Sequence, residues 1–283
     1  MVVFELHQEK GYSVSKLCKA VEVSRSSYYK WLHRCPSDAE KKNEALAASI
    51  QKIFDESHGI YGVERMKWAV YRELNEVVNV KRVRRLMRSM GLKSEIRKKK
   101  PEWTKSIPLH ISENTINRDF EASKPNQKWF TDVSYLFYGN HEKAYISAVI
   151  DRYDLSIVSY IISQRNDNKL VMDTIKLAMQ KNPAAHPIIH SDRGYQYTSN
   201  DYFALKNQFG FKTSMSRPSK CLDNQPIESF WGSMKAEYYY RHDFDTYDHL
   251  INGIDDYIQF YMHKRYVPKF NGLTPSEYRS LAS

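Results

Sequence analysis

The stretch 128–138, KWFTDVSYLFY, decides how the rest of the chain is read. Trp129, Phe130, Val133 and Leu136 make it a strand, yet Asp132 sits in its middle, where aspartate is disfavoured. A carboxylate in such surroundings is costly unless it meets cations, so Asp132 calls for a chemical reason. Gly139-Asn140 then marks a hairpin into a second strand, Lys143–Asp151, and Leu155–Ser163 reads as a third. Asn168–Gln180 has the period of an amphipathic helix, with Leu170, Val171, Ile175, Ala178 and Met179 as its buried stripe. Pro187–Asp192 is a fourth strand, Asn200–Gln208 a helix, and Phe211–Ser214 a fifth strand. From Gln225 to about Lys264 the pattern is helical, with a break near Tyr240–Thr246. Three strands, helix, strand, helix, strand and helices predict a mixed five-stranded sheet with flanking helices, an α/β core over residues 125–283.

Two further carboxylates lie in this core. Asp192 closes the apolar run Pro187–Ile189 within HSDRGYQYTS, and Glu228 follows Pro226, where a helix begins. Thirty-five residues separate them. Taken singly, an Asp after a strand is a turn former, and a Glu in a first helical turn complements the helix dipole. Together with Asp132 they suit a different task. Transfer of a phosphodiester needs the attacking oxygen activated and the leaving oxygen stabilised in line with it, work done by two divalent cations about 3.5–4 Å apart. Mg²⁺ takes hard oxygen ligands, so a few carboxylates hold a pair. A mid-strand Asp132, a strand-end Asp192 and a helix-start Glu228 converge if their two strands are neighbours. Trp231, Gly232 and Lys235 share the helix face of Glu228. Gly232 there suggests close approach of another chain, such as DNA, which would put Lys235 on a phosphate. Near these motifs, His190 reads as a space-filling strand-end residue, Asp151 as a turn former rather than a fourth ligand, and Asn224 as an organiser of the loop before Glu228. Arg193 also adjoins the second motif.

The upstream region is helical. SVSKLCKAVEVSRSSYYKWLHR (13–34) reads as two short helices: Val14, Leu17, Ala20 and Val21 form one apolar face, Ser24 caps the second, and Tyr28, Trp31 and Leu32 are its core candidates. This is a helix-turn-helix pattern over 1–35 that offers Arg25, Ser26 and Ser27 to a groove, although a plain packed hairpin has the same periodicity. A polar helix from Asp38 to Ser57 follows, then one with Met66, Val70 and Leu74 inward. In NVKRVRRLMRSMGL, Val83, Leu86, Met87 and Met90 face inward while Lys81, Arg82, Arg84, Arg85 and Arg88 face out. The net charge of +10 is concentrated here: residues 41–105 hold 17 Lys/Arg and 8 Asp/Glu, while residues 106–283 hold 20 of each. Such a concentration is the footprint of a phosphate-binding surface, so 38–100 is assigned as a basic DNA-binding region and 101–124 as an irregular linker.

No apolar stretch approaches the length of a membrane span, and MVVFELHQEKGYS has no secretory core. Cys18, Cys35 and Cys221 form no CxxC pair, which fits free thiols in a reducing cytoplasm and argues against zinc.

WFTDVSYL, HSDRGYQYTS and DNQPIESFWGSMKAE together resemble the three acidic motifs of the orfB-type transposases of the two-frame insertion sequences, the insertion-sequence-three group. HGIYGVERM…VKRVRRLMRSMGL resembles that family's upstream DNA-binding segment, and RYVPKFNGLTPSEYR its C-terminal signature, so the resemblance spans essentially the whole chain. It implies a ribonuclease-H-like core similar to retroviral integrases and a DNA transposase that cuts at its element's ends and joins the 3′-hydroxyl to target DNA. It further implies two Mg²⁺ per site, with Mn²⁺ as a substitute, on Asp132, Asp192 and Glu228, and Lys235 near the DNA end. Double-stranded DNA is the expected partner, with self-association in a synaptic complex and nucleoid association when bound. The family commonly fuses an upstream frame to this one; no leucine-zipper heptad occurs here, so a fused or partnered upstream product is expected. Met262 stands where the family usually has Asn, and Phe270 where Leu is common. A non-catalytic DNA-binding protein stays open as an alternative, and a ribonuclease-H-like nuclease or resolvase is disfavoured by the helical DNA-binding segments that precede the core. The first would bind DNA without metal-dependent cleavage.

Overall fold

The computed structural model describes residues 2–94, 121–216 and 224–282. Lys98–Lys100, nearly all of the expected linker, and Cys221 lie outside the described residues. The chain divides into two compact units, one up to Lys52 and one from Ile53 onward.

In the first unit, α1 (Val2–Lys10), α2 (Val14–Ala20) and α3 (Arg25–Leu32) enclose Val3, Cys18 and Tyr28. Ser24 caps α3 by accepting from the Ser27 amide at 3.1 Å. Here the expected core is corrected. Ala20, Val21, Trp31 and Leu32 are exposed, and Cys18 is buried instead. The reason is α1, a helix with no clear signal in the sequence: Val3 joins Cys18 and Tyr28 in the centre, and Trp31 is left edge-on to Phe4 at 6.4 Å. Cys18 and Cys35 are free thiols.

α4 runs from Asp38 to Glu56, and in the second unit α5 (Val63–Leu74) and α6 (Val80–Ser89) follow. Met66, Ala69 and Val70 bury one side of α5, while Leu74, expected inward, is exposed at the last turn, where Asn75 turns left-handed. α6 buries Val83, Leu86 and Met87, keeps Met90 half-buried, and stops before Gly91, whose φ of +70° suits a residue without Cβ.

The core sheet has strand order β3-β2-β1-β4-β5, with β1 (Lys128–Tyr138), β2 (Glu142–Asp151), β3 (Ile157–Ser163), β4 (Ile188–Ser191) and β5 (Lys212–Met215). β1–β2 and β2–β3 are antiparallel, whereas β4 is parallel to β1 and β5 to β4. This is the ribonuclease-H-like arrangement, five mixed strands with helices on both faces. α7 (Asn168–Lys181) and α8 (Asn200–Phe209) cover one face through Trp129, Val149, Ile175 and Tyr202. α9 (Gln225–Glu237) and α10 (Tyr247–His263) cover the other through Phe130, Leu136, Phe230 and Tyr257. Each large apolar side chain so buried contributes roughly 1.5–3 kcal/mol.

A final helix, α11 (Pro275–Ser280), lies beyond the helical pattern that the sequence shows up to Lys264. Its Arg279 pairs with Asp154 at 2.9 Å and Asp151 at 3.2 Å, and donates to Asn126 at 2.8 Å, tying the chain's end to the start of β1. The two departures from the family pattern are absorbed in packing. Met262 Sδ accepts from the Ile157 amide at 3.1 Å, and Phe270 stacks on Tyr278 at 4.0 Å. Among the described residues no helix is long and apolar enough to cross a membrane.

Candidate active site

The parallel register pairs Phe130 with His190, so continuing it two residues carries Asp132 alongside Asp192, just past the end of β4. The neighbouring strands required for convergence are therefore present. α9 then lies along β1 through three polar contacts. Asn224 Nδ2 donates to the Thr131 carbonyl at 3.3 Å, Trp231 Nε1 to Asp132 Oδ2 at 3.1 Å, and Lys235 Nζ to the Tyr135 carbonyl at 3.0 Å. Pro226 at the start of α9 fixes its entry and leaves Glu228 in the first turn.

The Asp192 charge bears on both Asp132 and Glu228. Atoms crowd Asp132, and its burial, with the Asp192 charge next in weight, pushes its carboxyl up to about 7. Trp231 and the Val133 amide work against that rise, and Glu228 adds to it. Asp192 is raised by burial, opposed by the Gly194 amide that donates to its Oδ1 at 2.8 Å. Glu228 is raised by burial and then by Asp192. Both Asp192 and Glu228 keep side-chain surface open to solvent. Among the described residues no three His, Cys, Asp or Glu side chains close tightly enough to hold an ion as they stand. The donor chemistry nonetheless suits a hard divalent cation, because burial raises all three carboxylates, neighbouring charge adds to the rise at Asp132 and Glu228, and positive charge relieves both.

The surrounding residues act as supports. His190 is buried with both ring nitrogens engaged, by Ser214 Oγ at 3.0 Å and Ser216 Oγ at 3.1 Å across to β5, which is a structural use. Asp151 accepts from the Asn126 and Tyr153 amides and pairs with Arg279, so its role is the turn after β2. Arg193 Nε donates to the Ser216 carbonyl at 2.7 Å. Tyr197, which carries no distinguishing signal in the sequence, is buried with its hydroxyl 3.3 Å from Thr131 Oγ1, and burial holds its phenol well above the usual value.

Lys235 departs from its expected setting. It is buried, its ammonium holds the Tyr135 carbonyl, and it lies 4.9 Å from the Tyr135 ring centre, because α9 packs this side chain down onto β1. Gly232 lines a cleft of about 440 Å³ with Arg65, Arg84, Ser233 and Glu237. Lys81, Arg84, Arg85 and Arg88 are exposed on α6, and Arg82 is half-buried against Glu76 at 3.5 Å. Arg25 and Ser26 are exposed on the first turn of α3, with the Ser26 hydroxyl 3.0 Å from Ser24 Oγ.

Family models match in the same places. Integrase core domain models match residues 122–221 and 228–282, and an HTH-like domain model matches residues 40–100. These place the chain in the integrase-core class, DNA-binding polynucleotidyl transferases that use divalent metal. Among curated relatives, the putative transposase of insertion sequence element IS150 from Escherichia coli K12 is 36% identical over 280 residues, 99% of this chain and 97% of the relative. The transposase of insertion sequence IS3A from the same organism is 30% identical over 285 residues, covering 99% and 98%. Among solved structures, the HTLV-2 integrase catalytic core domain in complex with magnesium is 14% identical and covers 56% of this chain and 99% of its own, with a TM-score of 0.46. The chain belongs to the family of insertion-sequence transposases that the IS150 and IS3A enzymes represent.

Proposed function

We propose that this chain is the catalytic transposase of an insertion element and that Asp132, Asp192 and Glu228 are its catalytic, metal-holding residues. The observation that carries this reading is the register that carries Asp132 of β1 alongside Asp192 at the end of β4, with α9, which bears Glu228 in its first turn, bonded to Asp132 through Trp231. Two Mg²⁺ would be held there, with Mn²⁺ as a substitute; when bound they activate the attacking oxygen and stabilise the leaving one. Asp132, gripped by Trp231, and Asp192, gripped by the Gly194 amide, are fixed ligands. Glu228 completes the set from a helix that can approach the DNA. In the first step water oxygen attacks phosphorus at the element end and the 3′-oxygen leaves with its electron pair, taking up a proton. In the second that 3′-hydroxyl attacks a target phosphodiester and displaces another 3′-oxygen.

Recognition of the duplex ends belongs, in this reading, to a helix-turn-helix-like segment over 1–35 through Arg25 and Ser26, and to the basic region 38–100 through Lys81, Arg82, Arg84, Arg85 and Arg88. A linker over 101–124 would join these to the core over 125–283. Lys235 would reach a phosphate only by leaving the Tyr135 carbonyl. Self-association in a synaptic complex, a fused or partnered upstream-frame product, and a cytoplasmic, nucleoid-associated setting complete the proposal. The test is duplex-end cleavage by Asp132→Ala, Asp192→Ala and Glu228→Ala. Each should abolish cutting and keep end binding; retained cutting removes that residue from the site, and wild-type binding without metal-dependent cutting favours a non-catalytic DNA binder.

A further inference from the structure

We propose that Trp231 is the positioning residue for Asp132, with its indole N–H holding one carboxylate oxygen toward α9 and so fixing how the carboxylate is presented to the metal. This rests on the assignment of Asp132 as a metal ligand. Trp231 Nε1 donates to Asp132 Oδ2 at 3.1 Å. An indole nitrogen only donates, so the oxygen facing it must accept, and the contact favours the ionised carboxylate that a cation requires. The ring cannot swing away. Trp231 is buried among the side chains that join α9 to β1, with the Phe230 ring centre 5.0 Å from its own.

The placement adds a second feature. Trp231 stands three residues after Glu228, so one turn of α9 supplies both a carboxylate of the site and the donor that aims another. Seating α9 on β1 therefore sets Glu228 and Asp132 together. The pairing is not forced by indole burial alone. Trp129 is fully buried in the same strand, and its Nε1 has no hydrogen-bond partner among the described residues. An unpartnered buried indole is thus tolerated next door, while the one at position 231 is given to a carboxylate.

The test replaces Trp231 in the full chain with Phe and, separately, with β-(3-benzothienyl)alanine, which keeps the shape of tryptophan and removes only the N–H. Mn²⁺ binding is measured by titration, with melting in EDTA and metal-free end binding as controls. The expected result is a drop in Mn²⁺ affinity of about tenfold or more in both variants, with melting of the benzothienyl variant and end binding unchanged. Wild-type Mn²⁺ affinity in the benzothienyl variant overturns the proposal. Asp132→Ala and Asp192→Ala separate it from its premise. If they bind Mn²⁺ undiminished, the metal site itself is wrong and this inference falls with it; if they lose binding while the position-231 variants keep it, only this inference fails.

Discussion

Gly194→Ala tests how closely the site depends on Asp192. The Gly194 amide donates to Asp192 Oδ1, and a Cβ at position 194 would lie 2.9 Å from that oxygen and 3.2 Å from Gln196 Oε1. Ordinary contact begins near 3.4 Å, so the carboxylate must retreat by about 0.5 Å. Its φ is not in the left-handed region, so alanine brings no backbone strain and the damage stays local. A misplacement of about 1 Å at a reacting centre can cost about a hundredfold in rate. Half that distance predicts a loss of roughly tenfold, about 1.4 kcal/mol of transition-state stabilisation. Single-turnover cleavage of a labelled duplex end under saturating protein reads this directly, with melting in EDTA unchanged. Wild-type cleavage in a variant that melts normally would refute the reasoning, since it would mean that the orientation of Asp192 does not matter.

Other outcomes follow from the same structure. Arg279→Ala leaves the buried Asp151 and Asp154 without their cation and should cost about 3 kcal/mol in a denaturant melt. Because Asp132 is raised from 3.8 to about 7, its unfolded form releases the proton first. Stability of the metal-free protein therefore falls as pH rises from about 4 to 7 and levels off above, and Asp132→Asn should flatten that part of a melting-temperature profile in EDTA. Replacing both Arg84 and Arg88, exposed on α6, with Ala should lower the salt dependence of end binding by about two phosphate contacts, read as the slope of log affinity against log salt.

Much of the fold was legible because its signals are local. The period-two pattern of β1, the Gly139-Asn140 turn and the stripe of α7 each report their own neighbourhood, and all match the structure to within a residue or two. The candidate carboxylates were legible through placement: a mid-strand Asp, a strand-end Asp and a first-turn Glu. What escaped depends on partners distant in sequence. α1 has no clear apolar stripe, so the displacement of Trp31 from the first unit's core could not be read from α3 alone. The grip of Trp231 on Asp132 spans 99 positions, and that of Arg279 on Asp154 spans 125. The spacing puts Lys235 on the helix face of Trp231, but the depth to which α9 sinks onto β1 decides that its ammonium meets a carbonyl.

The most direct measurement is to locate the metal. With Fe²⁺ in place of Mg²⁺, peroxide and ascorbate generate hydroxyl radicals that cut the backbone beside the bound ion. The account predicts cuts next to Asp132, Asp192 and Glu228, each lost when Asp132 or Asp192 is changed to Ala. Cuts confined to other segments, or cuts that persist in those variants, would contradict it.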